Sequence, residues 1–307
     1  MIDSTATVTS QWFLNGVANL QQELTATERQ LSSGYRIQDA SDAPAQTSAL
    51  VALGSSLATV QDYQTNLARV QSEAEGGDQA IGSAVSLIES ARTLAAQGAD
   101  TTTSAATDQS LASQVQNIQQ QIVGLANTTV AGRYIFGGSA DQTPPYQFDA
   151  ASATGVDQLT ASTAGEVFVN PQGLPVYQPL TAQQIFDPVD ATGAPTATNT
   201  FAALEALQTA LSTGNQANVS AALASLENVS GYLNQQQAYY GTAEQNIAAE
   251  QNTAASQSTA LQTQIASIRD TDVTQAASDL AEEQTAQSAA YGAEAEISPK
   301  SLFDYLG

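Results

Sequence analysis

Seven residues in the C-terminal third fall at every seventh position without a miss: Leu226, Leu233, Tyr240, Ile247, Ala254, Leu261 and Ile268. A helix returns a side chain to the same side at that interval, and a strict seven-residue repeat makes the helix lie along a partner. A companion series, from Leu223 through Ser230, Gln237, Glu244, Gln251 and Ser258 to Ile265, is mostly polar. The spacing predicts helix from about Thr200, broken at Gly214, then continuous to about Arg269. Asp270, Thr271 and Asp272 offer a fresh N-cap. A last helix through Val273, Ala277, Leu280, Gln284 and Tyr291 is expected to stop before Ser298-Pro299, leaving a short aromatic tail, Leu302-Phe303-Asp304-Tyr305-Leu306-Gly307.

The opening third has the same character. Phe13, Val17, Leu20, Leu24, Thr27 and Leu31 alternate steps of four and three, and Gly34 stands where a left-handed residue would end that helix. Asp42, with Ala43 and Pro44 behind it, reads as an N-cap and a proline-led first turn. The next helix carries Leu50, Leu53, Leu57, Val60, Leu67, Val70, Ala74, Ile81, Val85 and Ile88. Its spacing slips near Tyr63, and Gly76-Gly77 weakens it by about 1 kcal/mol per glycine. Gly98 to Thr107 reads as a turn, and a third helix follows on Leu111, Val115, Ile118, Ile122, Leu125 and Thr129.

Between Arg133 and Thr200 the helical period is lost and most of the nine prolines gather. Tyr134-Ile135-Phe136, Tyr146-Gln147-Phe148, Val167-Phe168-Val169 and Val176-Tyr177 read as short strands joined by turns. Neither terminal arm can bury its apolar stripe alone, so the two are expected to pair. The expected fold is mainly α: an elongated rod of long antiparallel coiled-coil-like helices, with a small β-rich domain inserted in the middle. An ordinary helical bundle with a β insertion fits the same spacing. The boundaries suggest terminal arms at 1–40 and 270–307, a helical rod from 41–132 and 201–269, and a β-rich domain at 133–200.

Composition narrows the chemistry. The 307 residues include no His and no Cys, so imidazole and thiolate catalysis, metal ligation by those groups and disulfides are all excluded. Seven Lys and Arg stand against 30 Asp and Glu, a formal charge of −23 that disfavours nucleic acid and anionic lipid as partners. No apolar run is long enough to insert in a membrane, and the N-terminus lacks the basic and apolar regions of a signal peptide, which taken alone suggests the cytoplasm. Glu73 with Glu75, Asp270 with Asp272 and Glu282 with Glu283 are the closest acidic groupings. Solvated faces and helix capping explain them better than acid–base catalysis, and no phosphate-cradling glycine motif occurs. The expectation is a structural or interaction protein, not an enzyme, with no cofactor.

Two separated motifs carry a resemblance. Leu31-Ser32-Ser33-Gly34-Tyr35-Arg36-Ile37, followed by Ala40-Ser41-Asp42-Ala43-Pro44-Ala45, is similar to the element that follows the first helix of bacterial flagellins, with Ala43 in place of a second acidic residue. Ile268-Arg269-Asp270-Thr271-Asp272 resembles the family's C-terminal counterpart. Within the family, Gly132-Arg133-Tyr134-Ile135-Phe136-Gly137-Gly138, Thr143-Pro144-Pro145-Tyr146 and the ending Ser301 to Leu306 resemble members that join hook to filament. Ser298-Pro299-Lys300-Ser301-Leu302 keeps a trace of the filament subunit's ending.

The resemblance implies terminal arms in the inner layer of a tubular polymer and the β-rich segment on its outside. It implies export through the flagellar type III channel without cleavage, with a chaperone on the C-terminal arm. The partners it implies are copies of the chain itself, a sibling hook-associated adaptor, flagellin and the hook, and the location is the flagellum outside the cell. The expected assembly contacts are Phe13, Val17, Leu20, Leu24, Leu31, Leu280, Leu302, Phe303, Tyr305 and Leu306. Such stripes bury little in a lone chain and order when neighbours cover them, so 1–40 and 272–307 are expected to be mobile in the free subunit. A weaker expectation is glycan binding by the β-rich segment through Tyr134, Phe136, Tyr146 and Tyr177.

Overall fold

The computed structural model describes residues 3–100, 104–161 and 163–297. Three long helices match the three longest periodic stretches: α1 (Asp3–Ser33), α2 (Pro44–Gly98) and α6 (Gln216–Arg269). Shorter helices are α3 (Ala105–Ala126), α4 (Ala182–Phe186), α5 (Thr200–Ser212) and α7 (Val273–Ile297). Six short strands form three antiparallel hairpins. These pair β1 (Thr129–Val130) with β2 (Arg133–Tyr134), β3 (Tyr146–Phe148) with β4 (Val156–Gln158), and β5 (Phe168–Val169) with β6 (Pro175–Tyr177). The mainly α fold with a small sheet-containing middle is as expected. The chain divides into two compact units, 62–255 and the combination of 1–61 with 256–307.

In the larger unit α2 and α6 run antiparallel. Tyr63 donates to Glu250 (3.2 Å), Gly77 faces the Tyr240 ring and Ser230 donates to Glu89 (2.8 Å), so positions rise along one helix as they fall along the other. The seam of α2 is buried at Leu67, Val70, Ala74, Gly77, Ile81, Ala84, Ile88, Ala91, Ala95 and Gly98, in steps of three and four. The apparent slip near Tyr63 is therefore no slip: Tyr63 is the member that lies three after Val60 and four before Leu67. Leu226, Leu233, Tyr240, Ile247 and Ala254 of α6 are buried as the repeat demanded. Their deeper apolar companions are Ala222, Val229 and Ala243, four positions before Leu226, Leu233 and Ile247, whereas of the mostly polar series three before only Ser230 and Ser258 are buried.

Gly76-Gly77 does not break α2. A Cβ on Gly77 would lie 2.3 Å from Cε1 of Tyr240, so the glycine is the socket for that ring. Around Tyr240 gathers an aromatic core that unites the β-rich segment with the helices. Phe136 and Tyr177 meet Tyr240 edge-on at 6.3 and 6.2 Å, and Phe136 meets Phe186 of α4 at 5.9 Å. Phe186 in turn touches Phe201 of α5, which packs against Tyr146. Asn127, the residue after α3, exchanges two hydrogen bonds with the backbone of Tyr146, whose hydroxyl donates to Asp187 (2.9 Å).

The strands depart from expectation at three places. β1 and β4 were hidden, β1 inside the apparent third helix. Ala131 and Gly132 both take positive φ (51° and 79°), the geometry of a two-residue hairpin turn that reverses the chain there. Of Tyr134-Ile135-Phe136 only Tyr134 is in a strand, because Ile135 and Phe136 turn inward over Gly137, where a Cβ would lie 3.0 Å from backbone atoms. α4 was also unpredicted. Its start is closed by Thr181 and Gln184 in a reciprocal capping box.

In the smaller unit α1 and α7 pack antiparallel, joined by Gln21 to Tyr291 (2.8 Å), Thr27 to Glu283 (3.0 Å) and Thr271 to Gln30 (3.3 Å). Gly34, at φ 76°, ends α1 as the sequence suggested. Asp42 is not the N-cap of α2. Its carboxylate accepts from the backbone N–H groups of Gln38 and Asp39 upstream (2.9 Å each), while the amides of Gln46 and Thr47 go to the Ala43 carbonyl. Proline at the first helical position removes one of the donors a cap would serve. Asp272 does cap α7, accepting from Thr274 and Gln275.

Candidate functional site

The two motifs that lie some 230 residues apart in sequence meet in the smaller unit as one clasp. Gly34 turns the chain out of α1, and Tyr35 then forms an antiparallel bridge with Asp270. The N–H groups of Arg36 and Ile37 both donate to the Arg269 carbonyl (2.7 and 3.2 Å), and Thr271 N–H returns a bond to the Gly34 carbonyl (3.0 Å). Arg36 Nη2 donates to the Ile268 carbonyl (2.6 Å) and to Gln46 (3.0 Å), tying the end of α6 to the start of α2. The Arg269 guanidinium lies 4.1 Å over the Tyr35 ring and pairs with Asp270 at 3.0 Å. At this exposure the cation–π contact contributes about 0.5–1 kcal/mol and the ion pair less. The backbone bonds, at about 0.5–1.5 kcal/mol each, carry the clasp.

The motif residues divide by task. Leu31 is half-buried on the α1 seam, and Ile37 is buried as the clasp's apolar anchor. Ser32 Oγ donates to the Arg29 carbonyl, and Ser33 accepts from Gln38 at 2.6 Å. The N–H groups of Asp39 and Gln38 hold the Asp42 carboxyl below the usual range, aided by nearby Arg29. Leu31, Ser32, Ser33, Gly34, Arg36, Ile37, Arg269 and Asp270 thus occupy one place, with Asp42 and Asp272 closing the turns on either side. Tyr35 and Gln46 were not singled out by the sequence reading. Tyr35 stands inside the first motif, but the cation that covers its ring is Arg269, which no local pattern brings there.

Phe13, Val17, Leu20 and Leu24 of α1 and Leu280 of α7 are half-buried. The remaining expected contacts, Leu302, Phe303, Tyr305 and Leu306, lie outside the described residues. Two apolar side chains that the stripe did not include flank it in the open: Trp12 is 78% exposed and Leu14 55%.

The acidic groupings have structural partners. Glu73 pairs with Arg69 (2.6 Å) and Glu75 accepts from Gln71 (2.7 Å), while Glu283 faces α1 and Glu282 faces away. In the larger unit burial, reinforced by Glu250, pushes the Tyr63 hydroxyl up to about 12. Tyr63 stacks on Phe168 at 5.8 Å, so it fastens the β5–β6 hairpin to the helices. The glycan platform is withdrawn: Phe136, Tyr146 and Tyr177 are core residues and present no ring face to solvent. No helix among the described residues is long and apolar enough to cross a membrane.

Residues 5–141 match the bacterial flagellin N-terminal helical region. The flagellar hook-associated protein 3 of Escherichia coli is 26% identical over 308 aligned residues, covering 94% of this chain and 95% of that protein. Its Salmonella typhimurium counterpart is 24% identical over 306, with the same coverage. Among solved structures, a flagellar hook-associated protein from Vibrio parahaemolyticus shares the fold with a TM-score of 0.64, at 17% identity, covering 75% of this chain and 100% of that one. Residues 5–141 thus carry the pattern of a flagellin N-terminal helical region, and the chain as a whole is similar along its length to flagellar hook-associated protein 3.

Proposed function

We propose that this chain is a structural subunit of the bacterial flagellum that joins hook to filament and has no catalytic task. The observation that carries this reading is the clasp. It joins both terminal motifs and holds α1 beside α7, so that one paired arm offers a half-covered apolar stripe to neighbours. End-to-end similarity to hook-associated proteins supports the junction in preference to the filament. Segments 1–40 and 270–307 form the axial layer, 41–132 and 201–269 the rod around it, and 133–200 the outer part. The axial contacts are Phe13, Val17, Leu20, Leu24, Leu31 and Leu280, continued by Leu302, Phe303, Tyr305 and Leu306 of the tail.

The partners are copies of the chain, a sibling hook-associated adaptor, the hook and flagellin. The chain reaches them through the flagellar type III channel, uncleaved, with a chaperone on the C-terminal arm, and it works outside the cell. Immuno-electron microscopy with an antibody to 133–200 tests the reading. Label at one point next to the hook is expected, and deletion of the gene should leave hooks without filaments while flagellin escapes to the medium. Label along the whole filament would make the chain a filament subunit instead.

A further inference from the structure

All six arginines of the chain lie among the described residues, the seventh cation being Lys300. Four have a carboxylate partner: Arg69 with Glu73, Arg92 with Glu89, Arg133 with Asp141 and Arg269 with Asp270. The other two, Arg29 and Arg36, have none among the described residues, although acids outnumber cations 30 to 7. Both line the same cleft of about 370 Å3 in the smaller unit, together with Gln30, Ile37, Gln38 and Asp42. Asp42, the one acid lining the cleft, lies near enough to Arg29 to feel its charge but forms a salt bridge with neither arginine, and its Oδ2 accepts the backbone N–H groups of Gln38 and Asp39. Arg36 is fixed through Nη2 alone, and Arg29 makes one long bond, Nε to the Thr25 carbonyl at 3.4 Å. Two guanidinium groups lining one cleft with a single carboxylate leave an excess of positive charge there, and a carboxylate delivered from outside offsets it.

The complementary surface is on α7, which has no Lys or Arg from Val273 to Ile297. Glu282 is exposed there, with no partner among the described residues, and Asp279, one turn earlier on the same side, takes among them only the Gln275 amide at 2.7 Å. We propose that the Arg29–Arg36 cleft of one copy receives the Asp279–Glu282 edge of α7 from a second copy. The inference rests on the proposed function, because it supplies a contact between successive subunits of the assembly. Cleft and acidic edge are different patches, so in an assembly of successive subunits each copy gives its edge to one neighbour and its cleft to another, a head-to-tail contact that builds a ring or helix.

The chain has no cysteine, so engineered thiols report on this contact alone. Full-length chain carrying Arg29→Cys and Glu282→Cys is expressed in place of the native protein, and isolated flagella are treated with a short bismaleimide. A ladder of multimers is expected from the double variant, and none from either single one. R29E should abolish swimming and R29E with E282R should restore it, which a folding defect at either position would not allow. Subunits labelled at the hook end without a ladder overturn this inference and leave the proposed function standing, and failure of the charge swap overturns the ion pairing. Absence of the subunit from the flagellum overturns both.

Discussion

The pair α2–α6 in the larger unit and the pair α1–α7 in the smaller one are written in the same heptad language, yet they are buried to different depths. Leu67, Ile81, Ile88, Leu226, Leu233 and Ile247 are fully buried, whereas Phe13, Val17, Leu20, Leu24 and Leu280 are half-buried. The cause is what lies beside each pair. α3 packs on α5 in the larger unit, and the rings of Phe136, Phe186 and Phe201 close the remaining side, so every seam residue is surrounded. Among the described residues nothing comparable covers α1 and α7 within their unit. A periodic stripe tells where a helix wants a neighbour, and burial tells whether that neighbour belongs to the same chain.

The largest test of this contrast is amide exchange in the free monomer. Opening free energy follows local burial, so amides of α6 between Val219 and Ala254 should exchange slower than those of α1 and α7 by several orders of magnitude. Equal protection would mean that the terminal pair is already complete without neighbours.

Side-chain deletion should show the same difference in stability. Leu226→Ala leaves a cavity in a closed core and should cost about 2–5 kcal/mol in chemical denaturation. Leu24→Ala removes a half-exposed side chain and should cost clearly less. Its effect should appear in assembly instead.

Glycine replacement sharpens the contrast in sign. Gly77→Ala drives a methyl into the Tyr240 ring and should destabilise by about 1–3 kcal/mol, in spite of alanine's better helix propensity. At Gly54 on the same helix a Cβ meets nothing within 4 Å, so Gly54→Ala should stabilise by about 1 kcal/mol. A thermal melt in which Gly77→Ala also stabilises would remove the socket argument.

Legibility followed the range of the determining force. The helices, the Gly34 stop and the β-rich character of the proline-laden middle depend on neighbours a few residues away, and these could be read directly. The clasp was half-legible: its two motifs stood out, but their meeting depends on Arg36 and Arg269 finding each other's segment across the chain. The companion seam of α6 was misread because Ala222 and Ala243 look featureless beside Leu223 and Glu244. Small residues qualify for burial only when a facing helix comes close. Tyr134, Phe136, Tyr146 and Tyr177 look alike as aromatic residues in a loop-rich stretch, and nothing local separates a surface platform from a core.

The sequence by itself determined that this chain is built from long paired helices, that imidazole and thiol chemistry are closed to it, and which two motifs to watch. Those conclusions rest on periodicity and on the absence of His and Cys, which no folding can alter. The tertiary structure alone decided that Gly77 is a socket, that Asp42 closes a turn and does not cap a helix, and that Arg29 and Arg36 form no salt bridge among the described residues. Each of these depends on which atoms share a few ångströms of space, and residues 77 and 240, or 36 and 268, come that close only after the chain has folded back on itself.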